Sequence, residues 1–443
     1  MATAPANTVT DSAMPYARKG SSVTAASPPP LRLLTPNIQE GNIDVSDLDD
    51  LDPVALRKEL VRRAGELRPL LDRNALQTIN NRRVVEENIE AIRAAGLLRI
   101  TVPKRYGGLE TDMRTFLDVS REIAMGCGSS AWVSTLMNIC AWFAGYGGKQ
   151  MQDDIWGANP DSRVAGVFAP SATAVAVEGG LRVTGKWAWA SGSLHSDWAF
   201  VGVPVVDVDG NQIDQGFATI PMSEVTIEDT WYVVGMQGTG SNTIVANDVF
   251  VPNYRIVSVP KLISGEAPTP FKDETLYRST FIPVAALGLV GPQLGLASRA
   301  LEYVREKAAT RGISYSFYDR QMDSPSFQMG LAEAASMLDV AHLLAYRAAE
   351  DIDTAAKEGR WMTYLERARV RMDTGQAIIK ARDAIDKLIS IHGAGSFAEG
   401  CLLQRLWRDC ETAGRHAVIS PSISTEVYGK ALLGIEGDVT ALV

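Results

Sequence analysis

Two indoles and a hydroxyl fall within six residues near the middle of the chain, Trp187-Ala188-Trp189-Ala190-Ser191-Gly192. They close a run with strand character, Leu181-Arg182-Val183-Thr184-Gly185-Lys186. At the two-residue period of a strand both rings point to one face, and Ser191 follows on that face before the Gly192 break. A flat aromatic surface with one hydroxyl at its rim suits a planar, polar-edged ring such as a flavin. The same residues also read as a tryptophan-rich strand packed into a core, with Ser193 a near rival to Ser191. Further on, Gly235-Met236-Gln237-Gly238-Thr239-Gly240-Ser241-Asn242 is a glycine-rich loop. Such loops let backbone amides approach a phosphate or a carbonyl-rich ring edge, although hairpin turns look the same.

The elements that must position these groups follow from periodicity. Residues 1–45 are rich in Ala, Ser, Thr and Pro, which reads as a disordered or loosely docked N-terminal arm. Asp52-Pro53 is an N-cap and first-turn pair opening a helix through Leu56, Leu60, Ala64 and Leu67. A second helix runs through Val84, Val85, Ile89, Ile92 and Ala95 and stops at Gly96. After a Pro/Gly turn, helices are expected over 113–125 and 129–144. From residue 164 the period changes to two, with short alternating runs separated by Gly, Asp and Asn. From about residue 276 long helical segments return, at 283–310, 325–357 and 361–391, followed by a break at His392-Gly393-Ala394-Gly395-Ser396-Phe397 and a last helix. The expected fold class is α+β, mostly α. An N-terminal helical domain (46–163) is followed by a central antiparallel β barrel or sandwich (164–275), then a C-terminal four-helix bundle and tail (276–443).

Bulk properties exclude several functions. A net charge of -9 with scattered Lys and Arg argues against a nucleic-acid partner. No stretch approaches the roughly 18 uninterrupted apolar residues of a membrane helix, and the first residues lack the apolar core of a signal peptide. Cys127, Cys140, Cys401 and Cys410 form no CxxC pair, so neither zinc nor a disulfide framework is indicated and a reducing cytoplasm is the simplest setting.

Taken in order, the features resemble the acyl-CoA dehydrogenase superfamily over roughly residues 50 to 435. Residues 96–108, Gly96-Leu97 through Val102-Pro103-Lys104-Arg105-Tyr106-Gly107-Gly108, are similar to its GL…VPxxYGG turn. Residues 235–241 with Val249-Phe250-Val251-Pro252 resemble its G…GTGS…VP segment, residues 187–192 its flavin-stacking strand, and residues 392–397 its bundle loop. The resemblance implies that Trp189 stacks on the flavin ring and that Gly238, Thr239, Ser241, His392 and Gly393 bind the cofactor. In acyl-CoA dehydrogenases an Arg-Asp pair precedes the glutamate that takes the substrate α-proton. Here Arg408-Asp409 is followed by Cys410-Glu411-Thr412-Ala413-Gly414-Arg415-His416-Ala417, and that position falls on about Ala417. Glu411 lies about a turn and a half earlier, on another helix face. Without the carboxylate, α-proton abstraction loses its base.

Arg-His in this place instead resembles the oxygenase components of two-component flavin-dependent monooxygenases, such as the p-hydroxyphenylacetate, steroid-phenol and polyketide hydroxylases. That resemblance implies hydroxylation of an aromatic, phenolic substrate by reduced FMN or FAD and O2, through a flavin C4a-hydroperoxide. A separate NAD(P)H:flavin reductase would supply the flavin to a homotetramer. Ser191 would hydrogen-bond the flavin N5 side, and His416, with a pKa near neutral, would deprotonate the phenol. Trp132 would be an active-site aromatic, and with Trp187 and Trp189 would keep the pocket dry. Arg278 and Phe281 would reach a flavin across a subunit boundary. An acyl-CoA dehydrogenase-type oxidase, or N- or S-oxygenation, are the alternatives. His195 and His342 read as structural and Cys410 as packing. Substrate choice is expected to depend on the loops around 263–277 and 313–323.

Overall fold

A computed structural model describes residues 32–35, 45–48 and 50–443. Most of the stretch read as an arm lies outside the described residues. Its one described strand, β1 (Leu33–Leu34), pairs antiparallel at the edge of a sheet.

The helical layer comprises α1 (Pro53–Glu66), α2 (Arg68–Arg73), α3 (Ala75–Asn81), α4 (Glu86–Ala94), α5 (Met113–Gly126), α6 (Gly128–Gly145) and α7 (Lys149–Trp156). Asp52 caps α1 by accepting from the amides of Val54 and Ala55, with Pro53 in the first turn. The second expected helix starts later, at Glu86. The gap is filled by α2 and α3, which at 6 and 7 residues are too short to show an apolar stripe. Of the 18 residues of α6 only Leu136 is not buried, so this helix is the centre of the molecule. The 96–108 turn clamps it: Asn138 Nδ2 donates to Leu97 O at 2.9 Å, and Thr101 Oγ1 donates to Asn138 O at 2.5 Å. Gly108 is required there, because a Cβ would lie 2.0 Å from Val102 O.

The β region contains β2 (Val164–Val167), β3 (Ala172–Val177), β4 (Gly180–Trp187), β5 (Trp198–Val206), β6 (Gln212–Pro221), β7 (Thr226–Glu228), β8 (Thr243–Pro252) and β9 (Ile256–Ser258). They form two sheets, ordered β1-β7-β8-β4-β3 and β2-β5-β6-β9. Leu181, Val183, Trp187, Val201, Val203, Ile220, Ile244 and Val251 belong to the buried core of this region. The pairing is antiparallel, as expected, apart from β2 and β5, which run parallel. The physical reason is that the β3–β4 hairpin belongs to the other sheet, so the chain leaves the smaller sheet after β2 and re-enters it from the same end.

After α8 (Val259–Ser264) come α9 (Phe281–Leu287), α10 (Gly291–Ala308), α11 (Pro325–Lys357), α12 (Tyr364–His392), α13 (Leu402–Ala413) and α14 (Pro421–Leu432). The helix expected over 283–310 is two helices. They part at Gly288, where a Cβ would lie 1.9 Å from Ile139 Cδ1. By length and composition the span Phe281–Ala308 could cross a membrane, which a scan for uninterrupted apolar runs misses; 94% of its most apolar window is buried inside the fold, so that apolarity serves the core.

Candidate active site

Four side chains from α6, the turn after β4 and the glycine-rich loop form one hydrogen-bonded chain. Trp132, on α6, donates from Nε1 to Ser191 Oγ at 3.2 Å. Ser191 Oγ stands 2.6 Å from Ser241 Oγ, which stands 2.7 Å from Thr239 Oγ1, and Thr239 Oγ1 donates to Met236 O at 2.9 Å. An indole N–H only donates and a hydroxyl has one proton and two lone pairs. The proton of Thr239 is committed to a carbonyl, so Ser241 donates to Thr239 and Ser191 donates to Ser241. Ser191 therefore receives one bond from Trp132, gives its own proton away, and keeps one lone pair for an outside donor. Ser193, its near rival, has a buried hydroxyl without a partner and is not in this chain.

His416 joins the cluster through Trp132, with ring centroids 6.0 Å apart. It sits after the end of α13, capping a short turn at Ala417–Ile419. The Val418 amide donates to its Nδ1 at 3.4 Å, which places the proton of the neutral ring on Nε2. The ring has an open edge, yet protein surrounds it closely enough that desolvation pushes its pKa down to about 4. With its pKa below the usual histidine value the ring is neutral at physiological pH, its Nδ1 occupied by the Val418 amide and its proton on Nε2. Glu411 is engaged elsewhere, in ion pairs with Arg382 and Arg415. Burial pulls its carboxyl up, but those two guanidinium groups outweigh this and hold it below the usual range.

The two central tryptophans do not share a face. β4 ends at Trp187, whose ring is fully buried and donates from Nε1 to Gly202 O at 2.8 Å, so it packs the β core and lines no pocket. Trp189, already beyond the strand, has a left-handed φ of +69° and a ring 67% exposed. A bulky residue in that region costs on the order of 1–3 kcal/mol, strain that the surrounding contacts hold in place. Trp231 braces it edge-on at 5.0 Å, and itself donates from Nε1 to Met236 O at 3.0 Å.

The other expected site residues take no part in this hydrogen-bonded chain. Gly238 is packed against α3, where a Cβ would stand 2.3 Å from Thr78 Cγ2. Phe281 is 1% exposed within an aromatic cluster around Trp142 and Phe143, so its ring serves packing in this chain. Trp142 is ten residues, or about 15 Å along the helix, from Trp132. Arg278 donates from Nη2 to Asp273 O and Thr275 Oγ1, and its buried Nε has no partner.

His392 and Gly393 end α12 at another corner. Gly393, with φ +94° and ψ −179°, occupies backbone that only glycine adopts readily. Burial pushes the pKa of His392 down to about 4, with the charges of Arg311 and Lys307 adding to the effect. The loop 313–323 is tied to this corner by Gln321, which donates to the carbonyls of Ile391 and His392.

Sequence reasoning missed Arg311, which packs against this corner, while Tyr315 and Phe317 lie in the loop 313–323 expected to bear on substrate choice. Arg311 Nη2 would stand 2.7 Å from a Cβ on Gly395, and the two aromatic rings are fully exposed. An aromatic pair in a polar turn was their only signal. Trp231 was missed too and carries no local mark, whereas Asp409 was marked only as half of the Arg408-Asp409 pair, without a role of its own.

Asp409 is buried on α13 and accepts from the Met236 amide at 2.6 Å. Burial raises its pKa to about 6, against the pull of the Met236 amide and of Arg405 and Arg408; Cys127 at the start of α6 and Cys410 are its other titratable neighbours. Its folded pKa lies above the unfolded value, so the folded state gains stability as pH falls from about 6 to about 4 and carries a penalty above 6. Asp409→Asn is expected to raise the thermal midpoint at pH 8, by an amount corresponding to about 1–3 kcal/mol, with the gain vanishing near pH 4. An equal effect at both pH values would show that Asp409 does not carry this titration.

Comparison with known proteins identifies the family. The family models "Acyl-CoA dehydrogenase, N-terminal domain" and "Acyl-CoA dehydrogenase, C-terminal domain" match residues 58–156 and 287–421. The chain is 32% identical over 376 residues to the flavin-dependent monooxygenase oxygenase subunit HsaA of Rhodococcus jostii, covering 85% of this chain and 98% of that one. It is 30% identical to the oxygenase component of p-hydroxyphenylacetate 3-hydroxylase of Acinetobacter baumannii, covering 86% and 90%. XiaF from Streptomyces, solved with FADH2 and glycerol, superimposes with a TM-score of 0.85 at 37% identity, covering 88% and 98%. By fold and by sequence, this chain belongs to the acyl-CoA dehydrogenase superfamily and, within it, to the oxygenase subunits of the flavin-dependent monooxygenases.

Proposed function

We propose that the chain hydroxylates a phenolic aromatic compound, using O2 and reduced FMN or FAD delivered by a separate NAD(P)H:flavin reductase, as a cytoplasmic homotetramer. The observation that carries this reading is the directed hydroxyl chain at Ser191. A reduced flavin presents an N5–H donor at its edge, and Ser191 offers the acceptor lone pair it needs, beside an outward-facing indole at Trp189. Bound there, reduced flavin supplies the electrons with which one oxygen atom of O2 enters the substrate and the other leaves as water.

The protein side of the chemistry is positioning and exclusion. Ser191, Ser241 and Thr239 pass their protons away from the cofactor edge, so none of them offers an acid there. Trp132, 6% exposed, walls off water next to Ser191. His416 would donate from Nε2 to the phenol oxygen and stabilise its phenolate form. Arg311 beside Gly395, with Tyr315 and Phe317 exposed, would hold the phosphate-bearing end of a flavin belonging to a neighbouring copy. Arg278, whose buried Nε has no partner, keeps its place in this proposal as a residue near the subunit boundary, while Phe281 packs behind it. The alternative, thioester oxidation, is disfavoured because Ala417 stands at the expected glutamate position and Glu411 is bound to two arginines.

The test is rapid mixing of the protein and reduced FMN or FAD with oxygenated buffer and a panel of substituted phenols. The expected results are flavin reoxidation slower than in free solution and product carrying label from 18O2. Reoxidation at the free-flavin rate, with H2O2 accounting for all the oxygen, would overturn the reading. A solution mass of about four times 47.8 kDa is expected by light scattering, and a monomer would contradict the assembly.

A further inference from the structure

The elements that carry the site's side chains meet at one buried acid. Asp409 Oδ1 accepts the Met236 amide at 2.6 Å. Its Oδ2 lies 3.3 Å from where a Cβ on Gly128 would be, at the first residue of α6, one helical turn before Trp132. Its own helix, α13, ends at Ala413, and the turn that follows presents His416. The contact between α13 and the glycine-rich loop is close along its length: Arg408 donates from Nη1 to Val234 O at 3.0 Å, and a Cβ on Gly235 would stand 2.1 Å from Arg408 O.

Met236 is where the two functional arms of the loop converge. Its carbonyl accepts both Thr239 Oγ1, the end of the hydroxyl chain from Ser191, and Trp231 Nε1, the brace of Trp189. Its backbone is left-handed, with φ +56°, a conformation that a methionine keeps only when its surroundings hold it. Asp409 supplies that hold.

We propose that Asp409 is the positioning residue of this site: by fixing Met236 it sets where the Ser191 hydroxyl chain and the Trp231–Trp189 pair stand relative to Trp132 and His416. It touches neither substrate nor cofactor. The importance of Ser191 and Trp189 rests on the function proposed above, but the geometry is testable on the protein alone.

Two indoles edge-on at 5.0 Å give an exciton signal in circular dichroism, identified by its loss in Trp189→Phe and in Trp231→Phe. Asp409→Asn keeps an acceptor for the Met236 amide and is expected to keep the signal. Asp409→Ala is expected to lose most of it. Gly235→Ala, which pushes α13 off the loop while leaving Asp409 in place, is expected to do the same and stands in if Asp409→Ala does not fold. In both damaged variants product formed per flavin oxidised falls by about tenfold, and Asp409→Asn restores it. A full signal in Gly235→Ala or Asp409→Ala, or loss of the signal in Asp409→Asn, overturns the proposal. Failure of the monooxygenase reading is distinguishable: the wild type would then form no product while the dichroism pattern stood.

Discussion

Ser191→Ala is expected to divert nearly all oxygen to H2O2, lowering product formed per reduced flavin by about 10- to 100-fold while flavin reoxidation accelerates. The hydroxyl keeps an acceptor lone pair for an N–H donor next to Trp132, and its removal leaves that donor exposed to water. The variant also strands Trp132 Nε1 and Ser241 Oγ, both buried, and should cost about 1–3 kcal/mol of stability. Product analysis and peroxide assay measure the first effect and thermal unfolding the second. Normal coupling in a correctly folded Ser191→Ala protein would remove Ser191 from the chemistry and leave it a packing residue. Ser193→Ala serves as the control, since its hydroxyl bonds to nothing in the cluster.

His416→Ala is expected to lower kcat by about 100-fold, equivalent to roughly 2.7 kcal/mol of lost transition-state stabilisation. His416→Gln, whose amide nitrogen can stand near the position of Nε2–H, is expected to recover part of that. The pH dependence separates a donor from a base. The histidine's pKa is pushed down to about 4, below its usual value, so it is already neutral at pH 6 and stays neutral to pH 8. Activity is therefore expected to show no acid limb near pH 6.5. An acid limb at that pH that disappears in His416→Gln would restore the general-base role and refute the Nε2–H donor.

Much of the frame was legible because local rules and tertiary packing agreed. Asp52-Pro53 announces α1 through a cap and a fixed φ, and residues 325–357 hold one helix from Pro325 to Lys357 with the boundaries that periodicity implies. The pairing of Trp132, Ser191 and His416 was legible only through resemblance, since 59 residues separate the first two and no local pattern links them. Where packing prevailed over period, the reading failed. Trp187 and Trp189 alternate as a strand pair should, but β4 ends between them. One indole faces the core and the other faces out on left-handed backbone.

Residue types, spacing and order along the chain thus determined the helical, β and bundle layers, the absence of a carboxylate at Ala417 and the candidates for the site, because secondary structure and motif chemistry are written over a few neighbouring residues. Tertiary structure decided the rest. It committed the proton of Ser191 to Ser241, lowered the pKa of His416 by desolvation, locked Glu411 between two arginines, and made Asp409 the joint of the site. Each of these depends on which distant atoms crowd or hydrogen-bond a group, and on how far protein displaces water around it, which only the packed chain defines.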